Sequence, residues 1–201
     1  MTKSIRPLSP RTQVRRQPSR GAYDRDTIHA FLDAILVGHV GFNDPEHGHP
    51  TVIPTLIARI DDDLLFHTSR ISRLAEAARG AEICVSAMIE DGLVLAKSAF
   101  HHSMNYRSVV AFGKAREIVA TDEKYAALTA FTDKLVPGRG PHIRPPSAKE
   151  LNITAIFALS LEEASAKSRT GGPADDPDDL SLPVDVGVIP ITRHMGSMIK
   201  F

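Results

Sequence analysis

After Gly38 the chain drops any helical repeat and proceeds in short apolar segments with a period near two, and this alternation constrains the fold more than any other feature. The segments are "HVGF", "TVIPTLIARI", "LLFHT", "EICVSAMI", "LVLAKSAF", "SVVAFGKAREI" and "TAIFALSLEEASAK". They are rich in β-branched and aromatic residues and are separated by turn formers such as "NDPEHGHP", "DDD" and "EDG". About seven strands in one domain predict a barrel or a sandwich. Helical spacing is confined to three places. Ile28, Phe31, Leu32, Ile35 and Leu36 follow Asp24 and Asp26, either of which can cap a helix. "SRLAEAARG" ends at Gly80, and "TDEKYAALTAFTDKLV" opens on Thr121 as its cap. The expected fold is mainly β with helices, a small β-barrel decorated on its outside.

A chain of 201 residues with 42% hydrophobic content supports one domain with a real core. The pattern places that domain at residues 26–170. Residues 1–25 carry Lys3, Arg6, Arg11, Arg15, Arg16, Arg20 and Arg25 against the acid Asp24, which reads as a basic arm. Such an arm is a solvated extension, a strap around a partner subunit, or a weak polyanion contact. Residues 171–201 begin with Gly171, Gly172 and the acidic "PADDPDD", a solvated loop without calcium-loop spacing, and return to apolar sequence in "VDVGVIPI", an edge strand or extended tail.

Several function classes are disfavoured. Net charge is zero, so general nucleic-acid binding is not expected. The single cysteine, Cys84, allows no intrachain disulfide and suits a reducing compartment. No run approaches the roughly 18 apolar residues of a membrane span, and no apolar signal core follows the first basic residues, so the expected location is the cytoplasm, with no membrane partner. The Gly-rich dinucleotide and phosphate loops, the nucleophile elbow and the His-Glu-x-x-His zinc motif do not occur. The nine histidines lack zinc-site spacing, and no metal site is expected.

Two polar clusters remain. In "FHTSRISR", Thr68, Ser69 and Ser72 supply hydroxyls and Arg70 and Arg73 supply guanidinium groups, where a strand ends and a helix begins. That is either a phosphate site or an N-cap, Ser69 or Ser72, followed by solvated arginines. In "KSAFHHSMNYRSVV", Asn105, Tyr106, Arg107 and Ser108 stand where a strand enters the barrel, either facing the edge of a planar ligand or forming a polar loop at the mouth. Asn105 and Arg107 are expected to share one face of that strand, and His101 to lie in the preceding loop.

Taken in order, "VRRQPSRGAYDRDTIHAFLDAILVGHVGF", "PTVIPTLIARIDDDLLFHTSRISRL", "DGLVLAKSAFHHSMNYRSVVAFGKA" and "ASAKSRTGGPADDPDD" resemble the split-barrel flavoproteins related to pyridoxamine 5'-phosphate oxidase. The closest likeness is to the branch of flavin-nucleotide-binding proteins and nitroimidazole-resistance reductases. The resemblance implies an FMN-binding split β-barrel and a homodimer with FMN at the subunit interface. It places Ile53, Pro54, Thr55 and Leu56 at the flavin ring edge. His67, Thr68, Ser69, Ser72 and Arg73 fall along the ribityl chain and phosphate, and Asn105, Tyr106, Arg107 and Ser108 complete the pocket. In the reductase branch a histidine matches His67, the one catalytic candidate, whose other reading is a hydrogen bond to cofactor or backbone. The phosphate-binding strand of the oxidase carries an arginine and then a lysine, whereas "VIPTLIAR" has only Arg59 at its end, which speaks against pyridoxal phosphate synthesis. Two functions follow from the resemblance. One is an oxidoreductase passing electrons from a nicotinamide donor through FMN to a small acceptor; the other is a non-catalytic module that stores, senses or delivers flavin or haem.

Overall fold

A computed structural model of the chain describes residues 6–201, so Lys3 of the basic arm lies outside the described residues. The chain divides into two compact units. The larger holds residues 6–88 together with 108–167, and the smaller holds 89–107 with 168–201.

In the larger unit Asp24 caps α1 (Arg25–Ala34) by accepting the Thr27 N–H, which settles the choice between the two aspartates. The helix buries Ile28 and Leu32. Its C-terminal carbonyls are met from far along the sequence, where Lys134 Nζ donates to Leu32 O and Asp33 O at 2.7 and 2.6 Å. Burial pushes the Lys134 ammonium below its ordinary pKa. β2 (Val37–Asn43) then runs antiparallel to β3 (Pro50–Ile60), β3 to β4 (Asp63–Ser69), and β4 to β8 (Thr154–Ser160). β2 also pairs with the first part of β5 (Glu82–Leu95), β8 with the short β7 (Arg116–Glu117), and β1 (Gly21–Ala22) with β9 (Ala164–Arg169). With β6 (Ser103–Lys114), the strand order is β1-β9-β6-β5-β2-β3-β4-β8-β7. This is the expected mainly β fold with helices.

Alternation along β3, β4 and β8 sorts the core into two faces. Ile57, Leu64, Phe66, Phe157 and Leu159 are fully buried on one. On the other, Ala58, Leu65, Ile156 and Ala158 pack with Ala127 and Phe131 of α3 (Thr121–Leu135). The N-cap position of α3 is Ala120 and makes no side-chain bond; Thr121, expected to cap, is the first helical residue. α4 (Ala148–Ile153) was not expected. It rests on a capping box in which Ser147 and Glu150 satisfy each other's backbone N–H, and its "SAKE" pattern was hidden behind prolines.

Two strand expectations change. "TAIFALSLEEASAK" is broken by a turn at Leu161–Glu163, which Ser160 caps, and so makes both β8 and β9. "EICVSAMI" and "LVL" form one continuous strand through the supposed turn "EDG". The charged residues stay in the strand because each is matched sideways: Asp91 takes both arms of Arg107, and Glu90 pairs with Arg193. In the smaller unit, residues 92–95 of β5 also pair with β10 (Gly187–Pro190), which places "GVIP" of the apolar tail as an edge strand. The stretch read as a basic arm makes contacts within the larger unit. Arg11 bonds Glu82 and Glu163, Ser9 bonds Glu163, and Thr12 is buried.

Candidate functional site

The first polar cluster is built where β4 runs into α2 (Arg73–Gly80). Ser72 is the N-cap, its Oγ accepting the Ala75 N–H at 3.1 Å, which decides between Ser69 and Ser72. The same oxygen lies 2.9 Å from Thr68 Oγ1, so two hydroxyls meet at the start of the helix. Thr55 Oγ1 donates to His67 O at 3.3 Å, tying the segment Ile53, Pro54, Thr55 and Leu56 of β3 to this end of β4. Ser69 and Arg70 are exposed, and Arg70 reaches Asn152. The first-turn amides of a helix have no partner within it.

Arg73 opens α2 and is more than half exposed, yet its Nη1 donates to Asp44 Oδ2 at 2.8 Å. Asp44 is only 1% exposed. Its Oδ1 accepts the N–H groups of Glu46 and His47 at 3.0 and 2.9 Å, with His47 Nδ1 3.2 Å away. These contacts, the His47 amide above all, hold the carboxyl well below its usual range. The β2–β3 loop closes on the same residue: Asp44 N–H donates to His49 O, and Gly48 N–H donates to Asp44 O from a φ of +72° that favours glycine. Sequence reasoning had read Asp44 only as part of a turn, and no local pattern marks a turn aspartate as buried.

His67 sits on β4 with its ring edge against Phe131, centroids 4.6 Å apart, and its Nδ1 is buried without a hydrogen-bond partner. Burial lowers its pKa from the ordinary 6.5. The folded protein therefore resists a proton that the unfolded chain accepts. Stability from this source is complete above the ordinary value and falls as pH drops below it toward the lowered one. Comparing urea unfolding at about pH 7 and pH 5 should show that His67→Gln removes part of the acid sensitivity. An unchanged pH dependence would mean that the imidazole takes its proton freely in the fold.

The second cluster lies on β6. Asn105, Tyr106 and Arg107 belong to the smaller unit and Ser108 to the larger. Asn105 is buried, accepts from Arg169 Nη1 and donates to Gly171 O at 3.1 Å. Arg169 also donates to the carbonyls of Gly171 and Gly172. Arg107 is held bidentately by Asp91 at 3.0 and 2.8 Å, an ion pair that raises its pKa. Ser108 Oγ donates to Lys167 O at 3.1 Å, and Tyr106 is half-buried. Each polar side chain with a defined partner here is engaged by its own chain. Arg169, beside the Gly-Gly pair, is the member that the sequence did not single out. His101 lies in the preceding loop with Nε2 3.2 Å from Asp176.

The residues around the start of α2 have the chemistry of a site for the phosphate of a flavin nucleotide. Paired hydroxyls beside an exposed arginine at a helix start suit a phosphate. On the adjacent β3 the exposed Val52 and Pro54 leave strand surface open to a flat ring. Among the described residues no group of three potential metal ligands gathers, and no helix is long and apolar enough to cross a membrane.

A family model for pyridoxamine 5'-phosphate oxidase matches residues 24–168. Among solved structures, the flavocytochrome Anf3 from Azotobacter vinelandii is 40% identical with a TM-score of 0.89, over 96% of this chain and 89% of that one. The FAD and haem binding protein from Mycobacterium smegmatis is 33% identical with a TM-score of 0.83, over 90% and 88%. A candidate 5-nitroimidazole antibiotic resistance protein from Bacteroides thetaiotaomicron shares the fold at 20% identity, with a TM-score of 0.61 over 74% of this chain and 86% of that one. No curated protein matches. The architecture is the split barrel of these flavin-binding proteins.

Proposed function

The chain belongs to the pyridoxamine 5'-phosphate oxidase family, and from that premise we propose that it binds a flavin nucleotide and works as an oxidoreductase between a nicotinamide donor and a small acceptor. The observation that carries this reading is the cluster at the start of α2, with Thr68 and Ser72 hydroxyls 2.9 Å apart beside the exposed Arg73. Those residues address a phosphate carried by both FMN and FAD. When bound, the flavin supplies hydride and electron transfer. The chain supplies the rest. Thr68, Ser72 and Arg73 hold the phosphate, the backbone of Ile53, Pro54, Thr55 and Leu56 meets the ring edge, and His67 offers a neutral imidazole. Pyridoxal phosphate synthesis is not part of the proposal, since the basic residues of the oxidase strand are replaced in "VIPTLIAR".

The working form is a homodimer with the flavin at its interface. On three neighbouring strands, β5, β2 and β3, Met88, Val37 and Val52 are exposed, Val52 by 62%. An apolar face of this kind suits a second copy of the chain. A haem beside the flavin is the second reading, favoured by the flavocytochrome and by the FAD and haem binding protein among the similar structures.

The absorbance spectrum of the purified protein tests all of this together. A flavin spectrum bleached by NADPH is expected, with a Soret band if haem is present, and chromatography of the heat-released cofactor separates FMN from FAD. Sedimentation of the loaded protein should report two chains. A colourless protein that takes up neither flavin would sink the reading, and a monomer with full flavin occupancy would remove the dimer.

A further inference from the structure

We propose that Asp44 is a positioning residue for the phosphate, acting through Arg73; this rests on the reading of the α2 start as a phosphate site. The two oxygens of its buried carboxylate have separate tasks. Oδ1 is occupied by the Glu46 and His47 amides and the His47 ring, which fixes the plane of the carboxylate. Oδ2 is thereby aimed at Arg73 Nη1, 2.8 Å away. Arg73 is the first residue of α2, and next to it the Ser72 hydroxyl both caps the helix and meets Thr68. A guanidinium group offers five N–H donors in a rigid fork, so one nitrogen anchored on Asp44 orients the others without consuming them. An exposed arginine otherwise samples many rotamers, and holding it in one lowers the ordering cost of binding.

The arrangement also permits the opposite outcome. A fixed negative charge beside a phosphate competes for the same cation, and if competition outweighed orientation, removing the charge would tighten binding. Asp44→Asn separates the two, because an amide oxygen can still accept the loop amides while its NH2 group faces Arg73 with nothing to accept. FMN and riboflavin, followed by quenching of flavin fluorescence, serve as probes with and without the phosphate. Positioning predicts that Asp44→Asn weakens FMN by about tenfold, the scale of one charge-assisted contact, and riboflavin by less than about twofold. In an Arg73→Ala background the same substitution should cost nothing further, since residues acting through one another are non-additive. If Asp44→Asn does not fold, Asp44→Ser keeps an oxygen near the loop amides and lacks the one that reaches Arg73, and the same results are expected of it. Tighter FMN binding, equal losses for both probes, or an undiminished effect without Arg73 would each overturn the proposal. The underlying phosphate reading fails differently: there Arg73→Ala alone would not distinguish FMN from riboflavin.

Discussion

Truncating Phe157 to alanine will lower the unfolding free energy by about 3–5 kcal/mol, the cost of deleting a large side chain from a core that cannot close over the space. Phe157 is 0% exposed, and its ring stacks on Phe66 with centroids 5.3 Å apart and planes 18° from parallel. Its strand is held on both sides, opposite Phe66 on β4 and opposite Glu117 on β7. Those ladders fix the backbones around the ring, so little can move inward to fill the void. The Arg79 guanidinium lies 6.0 Å from the ring centroid, and Arg79 also forms a bidentate pair with Glu117, so the edge of the core is charged and resists collapse. Urea unfolding measures the loss directly. A change below about 1 kcal/mol would show that the site repacks, whereas Phe100→Ala, removing a ring that is 87% exposed, should stay within about 0.5 kcal/mol.

The second large effect falls on binding. Arg73→Ala should weaken FMN by about ten- to a hundredfold, corresponding to the roughly 1.5–3 kcal/mol of a hydrogen bond to a charged group, and riboflavin much less. The substitution also strips the buried Asp44 of its ion-pair partner. A modest fall in thermal stability should accompany it, and for that reason the comparison between ligands carries the test. Equal losses of both ligands would assign Arg73 to the fold alone. Isothermal titration of the apoprotein with each ligand distinguishes these outcomes.

What could be read from the sequence was local. A cap at one of two aspartates, Asp24 as it turns out, and the end of α2 at Gly80 depend on neighbours a few residues away and stand where expected, as does the strand-rich period after Gly38, though not every strand boundary. The meeting of Thr68 with Ser72 was also within reach, since four residues separate them. The misses depend on distant partners. The "EDG" stretch resembles a turn until Arg107 and Arg193 supply the opposite charges that keep it extended. Asp44 resembles an ordinary turn aspartate until Arg73, 29 residues on, meets it. Arg169 and Asn105 lie 64 residues apart, and neither residue type alone suggests that both are buried.

The ammonium that closes α1 has a consequence in time. Lys134 lies 102 residues beyond Leu32, whose carbonyl it takes. At a synthesis rate of about 5–20 residues per second, roughly 5–20 s pass between the emergence of the two. Throughout that interval the last turn of α1 has only the Ile35 N–H on Leu32 O to close it, and the places that the ammonium takes on Leu32 O and Asp33 O are left to water. The first helix to be made is thus among the last to be finished, and pulse-labelled amide exchange should show its C-terminal turn gaining protection together with α3 and not with its own N-terminal turn.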